Sequence, residues 1–330
     1  MKAKYNKIQL LLVFILAFLY FYSLQFSTHN LVGYDGYYHV KLAYTYRTQG
    51  LITEFPWMYY TIFRDNFADD QFLFHLLLIP FTFGNLILGG KIAIVIFTSL
   101  SITVFYWFLK KNGIVWPLFW TMVLLTSQKF VVRSNMVRPE SLSVLFFILG
   151  IYFTISRKYK SLFFISILYS LLHGSFFILS IFIVVYLLID YIKKKRFEYK
   201  LLFYNFGGVF FGLLINPYFP KTIYTVYMVY LNGILRILKS VPLSAPIEEW
   251  MPLNFSLFIK ETYVIIILFL ISLFFIKKSQ NKHSLLFLIT SLVFFILTMQ
   301  HNRFVVYWSV AAVIFCAFSL NKYFKKLTEY

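Results

Sequence analysis

Long uninterrupted apolar runs constrain this chain more than any other feature of its sequence. Runs of about 15–20 apolar residues recur along it, which is the length that a helix needs to cross the hydrocarbon core of a bilayer. Hydrophobic residues make up 60% of the 330 residues, and charged residues only 13%. A water-soluble protein of this composition could not cover its surface with polar groups. We therefore predict an all-α, polytopic protein integral to the cell membrane.

About ten apolar segments are predicted to be membrane helices. They cover residues 8–26, 92–109, 114–131, 139–156, 161–174, 175–191, 201–219, 262–276, 284–299 and 304–320. The segment 161–174 is short and could instead fold against the segment that follows it. The first segment has no small-residue cleavage site after its apolar core, so we expect a retained helix rather than a signal peptide.

Basic residues orient these helices, because Lys and Arg collect at the cytoplasmic ends of membrane helices. The net charge is +19, from 31 Lys and Arg against 12 Asp and Glu. With ten helices the basic clusters fall on alternate connections, and both termini are cytoplasmic. Those clusters lie within residues 2–7, 110–111, 157–160, 193–196, 277–282 and 322–326. The positive charge is thus explained without nucleic acid, and a single cysteine, Cys316, forms no intramolecular disulfide.

Two long connections lie outside the cell in this scheme, at about 27–91 and 220–261. Residues 71–91 are apolar, but a further crossing there would invert every later basic cluster. We therefore expect them to lie in or dip into the outer leaflet, with Pro80 and the Gly89–Gly90 pair breaking the element. No linker or internal repeat divides the chain, so residues 1–330 are treated as a single transmembrane domain.

Most acids, histidines and several arginines fall on the outer side of this topology. Ionisable groups at membrane depth are costly and usually mark function, so their convergence suggests a reaction centre or a path for a polar substrate. The acids predicted to lie outside are Asp35, Glu54, Asp65, Asp69, Asp70, Glu140, Glu248, Glu249 and Glu261.

The stretch YDGYYHVKLAYTYRTQG, residues 34–50, is the richest of these outer segments. Asp35 and His39 are four residues apart, which places them on one face of a short helix beginning near Asp35. Asp35 could equally cap that helix. The tyrosines that follow fit an aromatic belt at the membrane interface; they are Tyr37, Tyr38, Tyr44 and Tyr46.

The stretch FADDQFLFHLLLIPF, residues 67–81, places Asp69 and Asp70 directly before an apolar run. Helix capping is one interpretation. The other is a general base, or ligands for a hard divalent cation such as Mg²⁺ or Mn²⁺, since carboxylates suit these ions and the ions often bridge to phosphate oxygens. Such groups at a membrane surface could act on a phosphate-linked substrate.

These two stretches resemble motifs of the GT-C superfamily of membrane glycosyltransferases. The first is similar to the Asp-x-Tyr-Tyr-His segment in the first outer loop of the catalytic subunit of oligosaccharyltransferase; the matching residues are Asp35, Tyr37, Tyr38, His39, Ala43 and Gly50. The second resembles the acidic motif that follows in bacterial and archaeal members. The helix count and the large first outer loop with interfacial helices also match. Because this chain has no adjacent tryptophan pair, the resemblance implies a smaller enzyme that moves a single sugar.

The resemblance implies a polyprenyl-phosphate or polyprenyl-diphosphate sugar as donor, a glycan, lipid or protein as acceptor, and a site that faces outward. It implies that Asp35 is the catalytic base or positions the acceptor, and that Asp69 and Asp70 are a second catalytic or metal-binding pair. The late sequence QHNRF is similar to the basic motif that meets the lipid phosphate. Arg303 and His301 would bind that phosphate, although Arg303 could also be an interfacial anchor.

The remaining candidates each have a structural alternative. Arg138 could pair with Glu140 or make a second phosphate contact, and His173 could belong to a tight hairpin or contact substrate. Glu248 beside Trp250 suits sugar binding and also a plain interface anchor. The predicted substrate-binding residues are His39, Tyr38, His75, His173, Glu248 and Trp250.

These features predict an integral-membrane glycosyltransferase, and a single dominant base fits one inverting displacement. Two other functional classes are also consistent with the sequence. A transporter or flippase of lipid-linked saccharides would place polar groups near the midplane, with broken helices and internal repeats. A polysaccharide polymerase or ligase would be expected to depend on paired arginines in large outer loops.

Overall fold

The described residues of this computed structural model are all helical or irregular, and they contain no β-strand. They are residues 2–55, 57–61, 63–64, 66–195, 197–228, 252–276 and 283–328. The α-helices among them are α1 Lys2–Gln25, α2 Asp35–Gln49, α3 Phe72–Leu78, α4 Leu86–Lys111, α5 Pro117–Leu125, α6 Gln128–Ser134, α7 Glu140–Ile155, α8 Tyr159–Leu172, α9 Phe177–Lys194, α10 Tyr199–Ile215, α11 Lys221–Val226, α12 Phe255–Phe275, α13 Ser284–Gln300 and α14 Val305–Thr328.

Five helical segments are long enough and apolar enough to cross a membrane. They are Asn6–Gln25, Leu86–Lys111, Gly174–Lys193, Phe255–Phe275 and Asn302–Leu327. Shorter apolar helices, among them α7, α8, α10 and α13, lie between them. The chain is therefore a multi-pass α-helical membrane protein, as predicted, whereas the count of ten crossings stays a prediction.

Burial separates a central helix from peripheral ones. The protein buries 94% of the apolar stretch of α14, but only 22% of that of α1 and 22% of that of α12. An apolar helix that the protein does not cover must face lipid or a partner, because water does not solvate it. Helix α14 is thus the core around which the others pack, while α1 and α12 present apolar faces outward.

Each of the ten predicted apolar segments contains a helix, but the segment 114–131 is divided. Helix α5 ends at Leu125 and α6 begins at Gln128. Ser127 separates them, because its backbone is extended and its side-chain oxygen accepts a hydrogen bond from the Phe130 N–H as an N-cap. Apolar periodicity does not register a single capping serine, so this division was not predicted.

The segment 71–91 differs from its prediction in where it breaks. Helix α3 and a 3₁₀ turn over Ile79–Thr82, which contains Pro80, form the expected short element. The break then falls at residues 83–85, and α4 begins at Leu86, where the Asn85 side chain caps it. The prediction that the Gly89–Gly90 pair breaks the chain was therefore wrong.

The two glycines instead allow other elements to approach α4 closely. A Cβ on Gly89 would lie 1.8 Å from the carbonyl oxygen of Phe81. A Cβ on Gly90 would lie 2.8 Å from Cγ2 of Val40 in α2. A side chain at either position would displace the turn or α2, so both glycines are packing residues.

One end of the bundle, here called the loop end, is where α1 ends and α4 begins. Lys91 near the start of α4 donates to the carbonyl oxygens of Gln25 and Thr28, which close α1. Asn216, which follows α10, donates its side-chain N–H to the carbonyl oxygen of Asp69 at 3.1 Å. These bonds bring residues 27–85 onto the ends of the long helices.

The opposite end, here called the basic end, joins the other connections. The backbone N–H of Val115, after α4, donates to Asn321 of α14 at 2.8 Å. Arg157, after α7, donates to Asp190 of α9 at 3.2 Å and lies 3.7 Å from Glu198, before α10. Basic residues cluster here, as the alternation of charge predicted; they include those at 110–111, 157–160, 193–195 and 322–326.

Helices α8 and α10 pack closely at Gly208, which makes a test of the packing possible. A Cβ on Gly208 would lie 2.5 Å from the carbonyl oxygen of Phe163, whereas a Cβ on Gly207 would lie 3.7 Å from its nearest neighbour. We expect Gly208→Ala to lower the free energy of unfolding by about 1–3 kcal/mol, because the backbone of α8 cannot yield cheaply.

Gly207→Ala is the matched control, since alanine favours the helix by up to about 1 kcal/mol and its Cβ would make only ordinary van der Waals contact with the Phe163 ring. The measurement is the temperature at which each detergent-solubilised variant stops eluting as a monodisperse peak. Equal midpoints for the two variants would contradict close packing at Gly208.

Candidate functional site

Helix α2 brings the first candidate, Asp35, to the rim of the loop end. Tyr34 occupies the N-cap position without a side-chain cap bond, and Asp35 is the first helical residue, so Asp35 is not the predicted cap. Its carboxylate instead accepts a hydrogen bond from Arg138, which precedes α7. The Asp35 side chain is 54% exposed and that of Arg138 is 14% exposed. A carboxylate in this position is held in place and still reaches solvent.

Arg138 is one of two arginines that approach the buried carboxylate of Glu140. Arg133, at the end of α6, donates to Oε1 of Glu140 at 3.0 Å, whereas Arg138 lies 3.9 Å from the same atom. The sequence favoured an Arg138–Glu140 pair, but the shorter contact belongs to Arg133, which was not among the predicted site residues. Arg138 thus bridges Glu140 and Asp35.

His173 and Arg303 meet across the bundle. His173 lies between α8 and α9 with an extended backbone, and its Nδ1 is 2.8 Å from Oγ of Ser143 in α7. Its Nε2 is 3.3 Å from Nη2 of Arg303. Because a guanidinium can only donate, Nε2 of His173 accepts and Nδ1 carries the proton given to Ser143. His173 is therefore more than a turn residue, since it holds Arg303, just before α14, against α7.

His301 lies in the same turn as Arg303, at the end of α13. It is 1% exposed, and its backbone N–H donates to Leu297 at 2.8 Å. Its ring packs edge-on against Phe304 at 5.7 Å between centroids. This turn fixes where the Arg303 guanidinium points.

Asp69 is the centre of a second cluster and is only 2% exposed. Its Oδ2 accepts hydrogen bonds from the Tyr46 hydroxyl at 2.9 Å and from Nδ1 of His75 at 2.7 Å. Its Oδ1 accepts from the backbone N–H of Gln71 at 2.9 Å. Three hydrogen-bond donors thus compensate the burial of one carboxylate.

His75 connects this cluster to His39 in α2. Nε2 of His75 lies 2.9 Å from Nδ1 of His39, and the two rings stack at 5.1 Å. Burial lowers the pKa of His39 well below its ordinary value, and electrostatic interactions with His75, Arg138 and His173 lower it further. The two clusters are therefore close enough to influence each other electrostatically.

Tyr38 lies beside these histidines, with its ring 5.1 Å from that of His39 and 5.9 Å from that of His75. Burial raises the pKa of the Tyr38 hydroxyl well above its usual range, and the negative charges of Asp69 and Asp70 add to this effect. Asp70 is thus close enough to act on the site. Tyr38 is therefore not part of an aromatic belt at the membrane interface, because its side chain lines the candidate site.

Tyr46 was also assigned to the belt, and that assignment was wrong. It is buried at 7% exposure, and its hydroxyl lies 2.9 Å from that of Tyr218 as well as from Asp69. Burial, followed by the charge of Asp69, raises its pKa. Tyr46 is seven residues after His39 and therefore shares its helix face, a signal that the sequence carried. Tyr218 and Asn216 lie too far along the chain to have been predicted.

Removing the Tyr46 hydroxyl tests this cluster. We expect Tyr46→Phe to lower the free energy of unfolding by about 1–3 kcal/mol, because the buried Asp69 carboxylate loses a donor. Tyr44→Phe, on the partly exposed face of the same helix, is the control and should change stability by less than about 0.5 kcal/mol. Thermal unfolding in detergent measures both, and equal midpoints would contradict the role of the hydroxyl.

A divalent cation at Asp69 and Asp70 was expected from the sequence. Both carboxylate oxygens of Asp69 already accept hydrogen bonds from protein groups. Within the described ranges, no three side chains of His, Cys, Asp or Glu converge in a way that could hold a metal ion. These described contacts do not fit a preformed metal centre, and the proposed sugar transfer involves no metal ion.

An apolar groove of about 650 Å³ runs along the other face of α2. Tyr37, Tyr38, Val40 and Lys41 of α2 form one wall. The remaining lining residues are Leu31, Phe55, Trp57, Leu86 and Ile87. Helix α2 therefore has the charged Asp35 at its start, the buried His39 on one face and an apolar groove along the other face.

The structure thus brings together Asp35 with Arg138, His173 with Arg303, and His39 with His75 and Asp69. Two predicted sugar-binding residues, Glu248 and Trp250, lie outside the described residues. Comparison with models of known protein families found no match, and comparison with curated proteins found no significant match.

Proposed function

We propose that this protein is an integral-membrane glycosyltransferase of the GT-C type that moves a sugar from a polyprenyl-phosphate donor to an acceptor hydroxyl. The observation that supports this best is the meeting of an acid–arginine pair and an apolar groove at α2. Asp35 and Arg138 stand at the start of the helix, and Tyr37, Tyr38 and Val40 line the groove. A lipid-linked sugar has matching parts: an apolar chain, an anionic phosphate and a polar sugar.

The arginines supply the phosphate contact in this proposal. Arg133 and Arg138 both approach Glu140, Arg138 also pairs with Asp35, and Arg303 contacts His173 at the same end of the bundle. The guanidinium fork matches the geometry of phosphate oxygens. Arg303, held by His173, would stabilise the phosphate as it departs from the anomeric carbon.

Asp35 is proposed to receive the acceptor, because its carboxylate is exposed and Arg138 fixes its orientation. The acceptor hydroxyl would attack the anomeric carbon from the face opposite the departing phosphate. One such displacement inverts the anomeric centre. The groove residues would keep the lipid chain in place while the sugar leaves it.

The membrane orientation belongs to the same proposal. Ten crossings, with the basic end in the cytoplasm and the loop end outside, satisfy the distribution of Lys and Arg. Helices of 14–17 residues such as α7, α8, α10 and α13 are short for a crossing, and thinning or partner helices can accommodate them. The proposed site then faces the outer leaflet.

The experiment has two steps. Mass spectrometry of lipid-linked sugars and surface glycans, with and without the protein, identifies the sugar that stays on its lipid when the protein is absent. That labelled lipid-linked sugar is then given to the purified protein in liposomes, and release of free lipid phosphate together with labelled acceptor is measured.

Release of lipid phosphate that requires the protein supports transfer. Movement of the intact lipid-linked sugar across the bilayer, with no release, would replace the proposal with a flippase. A product elongated by whole repeat units would instead indicate a polymerase or ligase.

A further inference from the structure

The contacts of Asp69, His75 and His39 assign a direction to the protons between them. A carboxylate can only accept, so Nδ1 of His75 carries the proton that is given to Asp69 at 2.7 Å. In the tautomer with its proton on Nδ1, His75 accepts at Nε2, and the donor to it, at 2.9 Å, is Nδ1 of His39. Each imidazole is thereby fixed in one tautomer and one ring orientation.

The remaining nitrogen of His39, Nε2, is left with its lone pair. Among the residues that the structure describes, this atom has no hydrogen-bond partner, while 4% of the His39 surface remains accessible. Phe74 packs edge-on against the ring at 5.3 Å, and Tyr38 at 5.1 Å, so the ring has little freedom to turn. A fixed, neutral imidazole with one unused lone pair is the arrangement of a general base.

The groups around His39 favour its neutral form before the acceptor hydroxyl transfers its proton. Burial opposes protonation of His39, as do the electrostatic interactions with His75, Arg138 and His173, whereas the negative charge of Glu140 favours it. When His39 accepts a proton, its Nδ1–H continues to donate to His75, which donates to the Asp69 carboxylate. Asp69 in turn is held by Tyr46, by the N–H of Gln71 and, through its carbonyl oxygen, by Asn216.

We propose that His39 is the catalytic base of this protein, and that His75 and Asp69 are positioning residues that orient it. This inference rests on the proposed sugar transfer.

As the acceptor oxygen bonds to the anomeric carbon, its proton passes to Nε2 of His39. The bond between the anomeric carbon and the phosphate oxygen breaks, and its electron pair leaves with the polyprenyl phosphate. His39 then releases the proton to water. Asp35 orients the acceptor and does not need to take the proton.

His39→Gln tests the catalytic role, because glutamine retains a polar side chain of similar length and has no basic nitrogen. In the liposome assay we expect kcat to fall by about 10²–10⁴-fold, with little change in the KM of the donor, since a base acts only in the transition state. His29→Gln, at an exposed histidine in the same outer segment, is the matched control and should retain wild-type kcat.

Nitrogen-15 NMR of histidine-labelled wild-type protein tests the positioning role without relying on a variant that folds. Above neutral pH, His39 and His75 are expected to carry their protons on Nδ1, with Nε2 unprotonated. His75→Gln should change the Nδ1 signal of His39, and Asp69→Asn should change the signal of His75. A proton on Nε2 of His39 in the wild-type protein would overturn the proposal whatever the activities are.

The assay separates failure of this inference from failure of the proposed function. If the wild-type protein transfers sugar and His39→Gln does so equally well, the base is another group and only this inference falls. If the wild-type protein releases no lipid phosphate from any lipid-linked sugar, the proposed function falls, and the catalytic assignment of His39 falls with it. A wild-type protein that transfers sugar, an inactive His39→Gln with wild-type thermal stability, and Nδ1 protonation together support it.

Discussion

Replacing Asp35 with asparagine is expected to reduce sugar transfer by at least about 100-fold while leaving a folded protein in the membrane. Asp35 is half-exposed, and among the residues that the structure describes it pairs with Arg138, so the fold depends on it less than on the buried Asp69 side chain. Asparagine keeps the shape of the side chain but removes the charge that fixes Arg138, and it replaces one of the two accepting oxygens with an amide group that donates. Misplacement of a substrate by about 1 Å is enough for a loss of this size.

The comparison for this variant is Glu54→Gln, which removes an exposed carboxylate from the same outer segment. Initial rates of lipid-phosphate release and elution profiles in detergent are measured for both variants. Glu54→Gln should retain wild-type rates. An Asp35→Asn protein with wild-type activity would remove Asp35 from the chemistry and leave Arg138 without its proposed role.

Replacing Arg303 with glutamine is expected to lower kcat by about 10²–10³-fold, because the guanidinium would neutralise the phosphate as it leaves. His173 holds this guanidinium at 3.3 Å from the side facing α7. Arg303→Lys should lose nearly as much, since lysine keeps the charge and loses the planar fork. A simple interfacial anchor would tolerate that exchange.

Arg64→Gln is a suitable reference for this experiment, since Arg64 is exposed and lies over the ring of Tyr59 in the same outer segment. It should keep wild-type kcat. Full activity in Arg303→Lys would favour the anchor interpretation. Loss of folded protein in Arg303→Gln alone would assign Arg303 to the packing of His173 instead of catalysis.

Apolar periodicity was sufficient to locate the helices of this chain, because burial in lipid or protein leaves the same signal in the sequence. It did not locate the start of α4, since Gly89 and Gly90 suggest a break unless the contacts with Phe81 and Val40 are known. It also missed the division at Ser127, which depends on one capping bond.

The sequence identified several residues of the candidate site, but it did not predict the contacts between them. Asp35, His39, Asp69 and His75 could be singled out because acids and histidines are rare among apolar runs. The bond between His39 and His75 joins residues 36 positions apart, and nothing in a single sequence encodes such a pairing. The predicted contact between Arg138 and Glu140 is present, but the shorter contact of Glu140 with Arg133 was missed, because the turn between α6 and α7 brings Arg133 closer.

The ion pairs at the two ends of the bundle differ in their access to electrolyte. At the basic end the Arg157 side chain is 37% exposed, whereas at the loop end Arg133 and Glu140 are 4% and 5% exposed. Dissolved ions screen exposed charges within about 10 Å at 0.1 M salt and screen buried pairs much less. Salt concentration at the basic end therefore adjusts how firmly α7, α9 and α10 are tied together, while the buried Arg133–Glu140 pair at the loop end responds to it much less.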